Sequence, residues 1–263
     1  MNGIAQVFEG KKALITYITA GDPDLDATAF LLKLLDESGV DILEVGIPFS
    51  DPLADGPVIQ QAGQRALTSG TTLKKILSML ASLKGEIKAP LVLMGYMNSL
   101  IAYGLETFAK DAADAGVAGV IVPDLPFHQS EELAGLLRSR GVDFILMVTP
   151  NSTPERLKAI AEKASGFLYC VSLLGVTGNE EKRNAPLEEY MQRVRASTKL
   201  PLALGFGVST PQRAKTAAQV ADGVIVGSAL ISALEPCGAD RKQLAAKATE
   251  FIGSLRAGVD SAG

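Results

Sequence analysis

The 263-residue sequence predicts a (β/α)8 barrel, an α/β fold in which eight parallel strands, each followed by a helix, close into one cylindrical sheet. Short apolar segments rich in β-forming residues recur eight times, and segments with helical spacing of apolar residues separate them. Most of the strand segments are apolar throughout, which is typical of strands covered on both faces. An open doubly wound sheet is the alternative, but no glycine-rich dinucleotide fingerprint follows the first strand.

The predicted strands are residues 13–18, 42–47, 91–95, 117–122, 144–148, 167–171, 200–204 and 223–226. Helical spacing covers residues 28–38, 73–83 and 131–140, and an extra short helix is expected at 58–67. Ser130 is a candidate N-cap, and Thr153 and Thr210 each precede a proline at the first helical position. No linker or low-complexity stretch divides the chain, so residues 1–263 are expected to form a single (β/α)8 barrel domain.

Composition favours small-molecule chemistry. The formal charge of −4 comes with no basic stripe, so nucleic acid is not expected as a partner. Only Cys170 and Cys237 are present, which is typical of reduced thiols in a cytosolic protein. The N-terminus has neither a basic nor an apolar leader region, and no apolar run approaches the roughly 18 residues of a membrane span. A soluble, cytoplasmic protein without membrane contact is therefore expected.

The second predicted strand carries a carboxylate, Glu44, within an apolar run. A buried, unpaired carboxylate costs several kcal/mol or stays protonated with a raised pKa, and such a cost usually marks chemistry. The alternative is an alternating strand with Glu44 on a solvated face. The loop that follows contains three prolines, which stiffen a segment bearing Asp51 and Asp55. A rigid acidic loop after a buried acid indicates an active site.

Glycines follow the later strands at the end of the barrel where active sites form. Residues 174–179 and 205–209 are glycine-containing loops, and Gly227 leads into a short helix at Ser228. Backbone N–H groups and a helix N-terminus at this position favour a phosphate site. At the other strand ends, Asp22, Asn98 and Asp124 are interpreted as turn formers.

Residue types that the sequence lacks at the expected site exclude two kinds of chemistry. No lysine lies within the predicted strands, so a strand-lysine Schiff-base aldolase is not expected. His128 is the single histidine, which excludes a His-rich zinc site, and no metal is expected. An all-oxygen Mg²⁺ site using Glu44 and Asp55 stays open as a weaker alternative. A phosphorylated substrate handled by carboxylates alone remains as the main interpretation.

Four stretches, residues 19–23, 44–60, 175–178 and 205–207, together resemble the tryptophan synthase alpha subunit family. The similarity runs from about residue 13 to residue 234. It implies a (β/α)8 barrel that cleaves indole-3-glycerol phosphate to indole and D-glyceraldehyde 3-phosphate in tryptophan biosynthesis. It also implies a beta-subunit partner in an αββα heterotetramer that receives the indole, with pyridoxal phosphate in that partner and no cofactor in this chain.

The resemblance assigns a role to each candidate residue. It makes Glu44 the general acid/base and Asp55 the group that stabilises positive charge on the indole ring. Phosphate binding is implied for Gly178, Gly207, Gly227 and Ser228, and indole contact for Tyr17, Met94, Ile121 and Tyr169. Thr177 is implied to lie on a closing loop and Asp51 on a loop that communicates with the beta subunit.

The partner contact is expected near residues 48–57 and 98–103, with Leu100 or Ile101 as an exposed apolar group. Two departures from the family pattern are visible. Loop 6 begins Ser172-Leu173-Leu174, without the polar or basic residue that some members have there, and the short N-terminus predicts an absent or abbreviated barrel plug. Two alternatives stay open: a stand-alone indole-3-glycerol phosphate lyase that releases free indole, and a mainly regulatory barrel.

Overall fold

The structure, a computed structural model, describes residues 3–172, 181–205 and 207–262. Eight parallel strands form a closed barrel in sequence order, so that the first strand also pairs with the last. The strands are β1 (Ala13–Thr19), β2 (Ile42–Gly46), β3 (Leu91–Met94), β4 (Val117–Ile121), β5 (Asp143–Val148), β6 (Leu168–Val171), β7 (Leu202–Gly205) and β8 (Gly223–Val226). The predicted fold class is confirmed, and each strand starts and ends within two residues of its predicted bounds.

The strand side chains alternate between two cores. On β2, Ile42 belongs to the cluster inside the barrel, whereas Leu43 and Val45 belong to the cluster between the barrel and its helices. Because side chains alternate along a strand, Glu44 points into the barrel with Ile42. Both strand faces are therefore covered, which explains the continuous apolar runs in the sequence.

The helices are α1 (Leu25–Glu37), α2 (Pro57–Thr68), α3 (Leu73–Ser82), α4 (Met97–Tyr103), α5 (Leu105–Asp114), α6 (Glu131–Arg138), α7 (Pro154–Lys163), α8 (Glu181–Ser197), α9 (Pro211–Val220), α10 (Ser228–Leu234) and α11 (Arg241–Asp260). The extra helix after β2 is confirmed as α2, and Thr153 and Thr210 cap α7 and α9. Ser130 occupies the N-cap position of α6, as predicted, but its hydroxyl donates to the Phe127 carbonyl instead of accepting from the helix. Within the described ranges, no helix is long and apolar enough to cross a membrane.

A single 3-10 turn, Ile4–Phe8, closes the bottom of the barrel. Ile4 is fully buried among the inward-facing side chains of the strands, and the Phe8 ring packs against Phe167 at 5.7 Å. The N-terminal plug is thus abbreviated, as predicted, and one isoleucine fills the lower opening.

Truncating this plug is expected to destabilise the barrel without affecting its top. Ile4→Ala should lower the free energy of unfolding by about 2–4 kcal/mol, because it leaves a cavity that the rigid strands cannot fill. Urea denaturation measures the loss, with Val7→Ala, a half-buried neighbour in the same turn, as the matched control. Equal losses in the two variants would contradict the proposed plug.

An arginine clamp joins the two ends of the chain below the strands. Arg256 on α11 donates to the Asp41 carboxylate at 2.7 Å and to the Lys12 carbonyl at 2.8 Å. The same carboxylate accepts from the Leu14 N–H at 2.8 Å and pairs with Lys11. Because Lys12 and Asp41 precede β1 and β2, this clamp stabilises the amino-terminal end of the barrel.

Candidate active site

A cavity of about 460 Å³ opens at the carboxyl ends of the strands. Eight residues predicted for the site line it: Tyr17, Glu44, Asp55, Met94, Tyr169, Gly207, Gly227 and Ser228. They come from six strands or strand ends and from the loop after β2. The barrel therefore brings together residues that lie more than 200 positions apart in the chain, at the face where barrel enzymes bind substrates.

Glu44 is the buried acid of this cavity. Its side chain is 1% exposed, and neither carboxyl oxygen has a hydrogen-bond partner among the described residues. Burial, reinforced by the nearby charge of Asp55, raises the pKa of Glu44 from 4.5 to about 8. The carboxyl group is thus protonated at neutral pH, and the alternative of a solvated strand glutamate is wrong.

Asp55 occupies a more polar position at the rim, directly before α2. Burial raises its pKa, while a hydrogen bond from the Tyr96 hydroxyl opposes that shift. The same hydroxyl accepts the Ala54 N–H at 3.0 Å, and the Tyr96 ring stacks on Phe49 at 5.1 Å. Tyr96 therefore ties both ends of the acidic loop to β3, and the two carboxyl groups of the cavity lie in different environments.

Two tyrosines form the walls next to Glu44. The Tyr17 hydroxyl lies above Gly46, and the Tyr169 ring lies above Gly205. Tyr17 is the strand partner of Glu44, and burial raises the pKa of both tyrosines, so both hydroxyls stay neutral. Ile121, predicted as a wall, is not among the residues lining the cavity. It is fully buried in the cluster of inward-facing strand side chains.

Gly46 is required for space. A Cβ atom at this position would lie 2.0 Å from the Tyr17 hydroxyl oxygen. Gly46→Ala is therefore expected to push Tyr17 into the cavity and to lower kcat/KM by about tenfold or more. Steady-state kinetics test this, with Gly135→Ala on α6 as a control where a Cβ meets nothing. Unchanged kinetics in Gly46→Ala would show that the tyrosine can move without cost.

A second part of the cavity lining, after β7 and β8, is built from backbone. Gly207 has a φ of +59°, which favours glycine, and a Cβ atom at this position would have nothing within 4 Å. Gly227 precedes α10, whose first N–H groups, at Ser228 and Ala229, have no partner within the helix. Ser209 and Ser232 add hydroxyls to the same lining. Thr177 and Gly178 lie outside the described residues.

The acidic loop also carries exposed groups. Asp51 is exposed and accepts from the Ser50 hydroxyl at 2.5 Å, outside the cavity. Leu53 is 95% exposed and Ile101 is 57% exposed. Leu100, offered with Ile101 as an exposed apolar group, is fully buried, because it lies on the inner face of α4.

Asp22 and Asp124 stand in a bend and a turn, as the turn-former interpretation expects, but their side chains bond elsewhere. Asp22 pairs with the Arg65 guanidinium on α2, and Asp124 accepts the Met97 N–H at 2.9 Å across two loops. Both carboxylates join separate segments and do not bond their own turns. Distances along the sequence of 43 and 27 residues separate the partners, so no local pattern indicates these contacts.

Sequence reasoning missed several residues of the site. Met147 and Ile225 line the cavity from β5 and β8, and Ile59 lines it from α2. Met147 and Ile225 face inward next to the carboxyl ends of their strands. Residues in this position line the active site of a barrel, so they can be identified once the strand bounds are known. Tyr96 follows the end of β3, but nothing in the sequence shows that its hydroxyl lies near Asp55, because the two residues meet only in the folded chain. Among the described residues, no group of three or more His, Cys, Asp and Glu side chains is placed to hold a metal ion.

The arrangement can protonate an apolar substrate group at Glu44, stabilise positive charge at Asp55 and hold an anion at the glycine end.

Known proteins are similar to this chain in sequence and in fold. The family model described as tryptophan synthase alpha chain matches residues 5–260. The tryptophan synthase alpha chain of Petrotoga mobilis is 50% identical over 256 residues, covering 97% of this chain and 99% of the relative.

A further relative and two solved structures belong to the same group of proteins. The alpha chain of Caldanaerobacter subterraneus is 45% identical over 248 residues, covering 94% of each chain. The crystal structure of tryptophan synthase subunit alpha from Legionella pneumophila has a TM-score of 0.91 at 37% identity and covers 99% of both chains. The aminoacrylate-bound form of tryptophan synthase from M. tuberculosis has a TM-score of 0.86 at 36% identity, with coverage of 97% and 98%. The chain belongs to the tryptophan synthase alpha chain family.

Proposed function

We propose that Glu44 and Asp55 carry out the alpha reaction of this family in the cavity at the carboxyl ends of the strands. As a family member, the chain is a carbon–carbon lyase of tryptophan biosynthesis that cleaves indole-3-glycerol phosphate to indole and D-glyceraldehyde 3-phosphate. The observation that carries the residue assignment is the buried, unpartnered carboxyl of Glu44, which shares one cavity with the rim carboxylate of Asp55. Glu44, with its pKa raised to about 8, takes the acid role. Asp55, whose pKa burial raises and the Tyr96 hydrogen bond partly holds down, takes the base role.

Substrate orientation follows from the polarity of the cavity. The phosphate group lies at the backbone end, against the N–H groups around Gly207, Gly227 and Ser228, with Gly178 completing the site. The indole ring lies between Tyr17, Met94 and Tyr169. This placement puts the carbon–carbon bond to be broken beside Glu44, since Glu44 lies on β2 next to the β1 residue Tyr17.

The reaction is a retro-aldol cleavage in which the carboxyl groups move protons. Neutral Glu44 donates its proton to indole C3, and positive charge develops on the ring nitrogen. Ionised Asp55 stabilises that charge and accepts the N1 proton. The Glu44 carboxylate then helps to deprotonate the glycerol hydroxyl, the C–C bond breaks, and its electron pair returns to the ring. Asp55 returns its proton to N1 as this electron pair reaches the ring, so indole leaves neutral, Asp55 ends the cycle ionised and Glu44 ends it protonated.

A beta subunit is the partner that we propose for this chain. Membership of the family supports such a partner, and the exposed Leu53 and Ile101 offer apolar contact beside the acidic loop. We place the chain in a cytoplasmic αββα heterotetramer, with Asp51 and Thr177 on the segments that communicate closure and pyridoxal phosphate held by the beta subunit alone. The whole chain, residues 1–263, acts as one domain.

Indole release from indole-3-glycerol phosphate, measured with and without a beta subunit, tests the proposal. Weak activity that rises strongly with the partner is expected. High activity that the partner does not change would favour the stand-alone lyase that releases free indole. An absence of turnover in both conditions would contradict the assignment of Glu44 and Asp55, and partner activation without turnover would favour a regulatory barrel.

A further inference from the structure

Arg65 makes a three-way ion pair near the active site, outside the cavity itself. Its Nε and Nη2 atoms donate to the two oxygens of Asp22 at 2.7 and 2.8 Å, and its Nη1 donates to Glu235 at 2.6 Å. The side chain of Asp22 is 14% exposed and that of Arg65 is 34% exposed, so the bidentate pair is partly shielded from solvent, whereas Glu235, at 48%, lies at the surface. A bidentate guanidinium–carboxylate pair has one preferred geometry, which makes it a positioning device.

The three side chains come from segments that border the cavity at the acidic loop and at the glycines after β7 and β8. Arg65 lies on α2, which begins two residues after Asp55. Glu235 directly follows α10, which begins at Ser228 beside the glycine end. Asp22 lies in the loop after β1. Arg65 therefore connects the helix behind the acidic loop to the helix behind the proposed phosphate end.

Ala62 on α2 and Ile231 on α10 share a small apolar cluster, but this packing leaves a gap towards the loop after β1. A second cavity of about 90 Å³ lies beneath the ion pair, lined by Asp22, Arg65, Glu235 and apolar residues that include Ile231 and Leu234. An unfilled space between α10 and the loop after β1 leaves them free to shift, unless polar contacts span it. The Arg65 guanidinium is the group that spans it.

Additional bonds transmit the position of α2 to the catalytic loop. The Gln60 side chain donates to the Asp55 carbonyl at 2.8 Å, and Ser69, which follows α2, donates to the Gly21 carbonyl at 3.2 Å. Ile59 of α2 and Ser232 of α10 both line the substrate cavity. A shift of either helix thus changes the cavity directly.

We infer that Arg65 is a positioning residue for the lyase reaction, holding α2 against α10 so that Asp55 and the phosphate end stay at the separation that the substrate needs. The inference rests on the proposed function. Arg65 touches no reacting atom, and its effect runs through the two helices.

The chain offers a matched control at the other end of the barrel. Arg256 likewise binds a shielded carboxylate, Asp41, and a second partner, but it does so below the strands. Arg65→Met and Arg256→Met each remove a guanidinium and keep an apolar stem. Because partly exposed ion pairs contribute modestly to stability, Arg65→Met is expected to shift Tm by no more than about 4 °C.

The experiment compares kinetics and Glu44 titration in both variants, with assays run well below Tm. Arg65→Met is expected to lower kcat/KM for indole-3-glycerol phosphate by about tenfold or more, mainly through kcat, and Arg65→Lys should recover part of the loss. Arg256→Met should keep kcat/KM within about twofold of wild type. Carboxyl-carbon NMR, with Glu44 assigned through Glu44→Gln, should show Glu44 titrating at lower pH in Arg65→Met, since displaced Asp55 no longer raises its pKa.

Wild-type kinetics and an unshifted Glu44 titration in folded Arg65→Met would overturn the inference. So would equal losses of kcat/KM in Arg65→Met and Arg256→Met, which would indicate a general effect of stability. Should the wild-type chain fail to cleave the substrate, the proposed function fails, and the Glu44 titration then decides the positioning role by itself.

Discussion

Glu44→Gln is expected to lower kcat for indole-3-glycerol phosphate cleavage by about 100-fold or more. The amide cannot give a proton to indole C3, and general acid–base catalysis commonly contributes factors of this size. Asp55→Asn should cause a loss of similar size, because the neutral amide cannot stabilise the positive indole ring. Steady-state turnover with the beta subunit present measures both effects.

Glu132→Gln on α6 is the control, since this exposed residue lies outside the cavity and undergoes the same change from carboxyl to amide. It should keep wild-type turnover. Glu44→Gln that retains more than about a tenth of wild-type kcat would contradict the role of Glu44 as the acid. KM should change less than kcat in both cavity variants, because each removed interaction forms mainly in the transition state.

The kcat/KM of the wild-type protein is expected to fall as the pH rises through about 8. Burial and the charge of Asp55 raise the pKa of Glu44 to this value, and the reaction needs its protonated form first. A pH profile from about pH 6 to about pH 10 tests the assignment. A flat profile through pH 8 would show that deprotonation of Glu44 does not limit the free enzyme.

The same burial makes the wild-type protein less stable as the pH rises. Glu44 has a folded pKa of about 8 against an ordinary value of 4.5, so the folded state holds its proton more tightly than the unfolded state. Below about pH 4.5 Glu44 is protonated in both states, so its raised pKa costs no stability. The free energy of unfolding then falls progressively as the pH rises through about 8. The slope approaches about 1.4 kcal/mol per pH unit in this window.

Glu44→Gln is expected to remove this dependence. The free energy of unfolding of the variant should gain on the order of 3 kcal/mol relative to wild type between about pH 5 and about pH 8. Urea denaturation at several pH values measures the difference, and Glu132→Gln gives the baseline for a surface carboxylate. Asp55→Asn should shift the upper end of the window to lower pH, since the Asp55 charge is the second cause of the raised pKa. Parallel pH dependence in wild type and Glu44→Gln would contradict the buried acid.

Local patterns predict much of this fold. Apolar runs mark the eight strands, most of them continuous because both faces are covered, and a threonine followed by proline marks the starts of α7 and α9. Ser130 shows the limit of such signals. A 3-10 turn precedes α6 and brings the Phe127 carbonyl within reach, so the hydroxyl donates there instead of capping the helix.

Some residues of the candidate site can also be predicted from the sequence, and others cannot. Glu44 stands out because a carboxylate in an apolar strand conflicts with its surroundings, and that conflict is visible in the sequence. Ile121 and Met94 look alike in sequence, yet Met94 lines the cavity and Ile121 fills the core beneath it. The depth of each layer depends on the stagger between neighbouring strands, which hydrophobic patterns do not encode. The contacts of Tyr96 and Arg65 depend on packing between distant segments for the same reason.

Pairing of β1 with β8 has a consequence for synthesis on the ribosome. Residues 13–16 can bond their final partners only after residues 223–226 have been made, which takes roughly 10–40 s at typical elongation rates. During that interval the β1 edge stays open, and the ring of strands that surrounds Glu44 is incomplete. The nascent chain therefore carries an unpaired strand edge until residues 223–226 emerge, and this edge is the surface that a chaperone would have to shield.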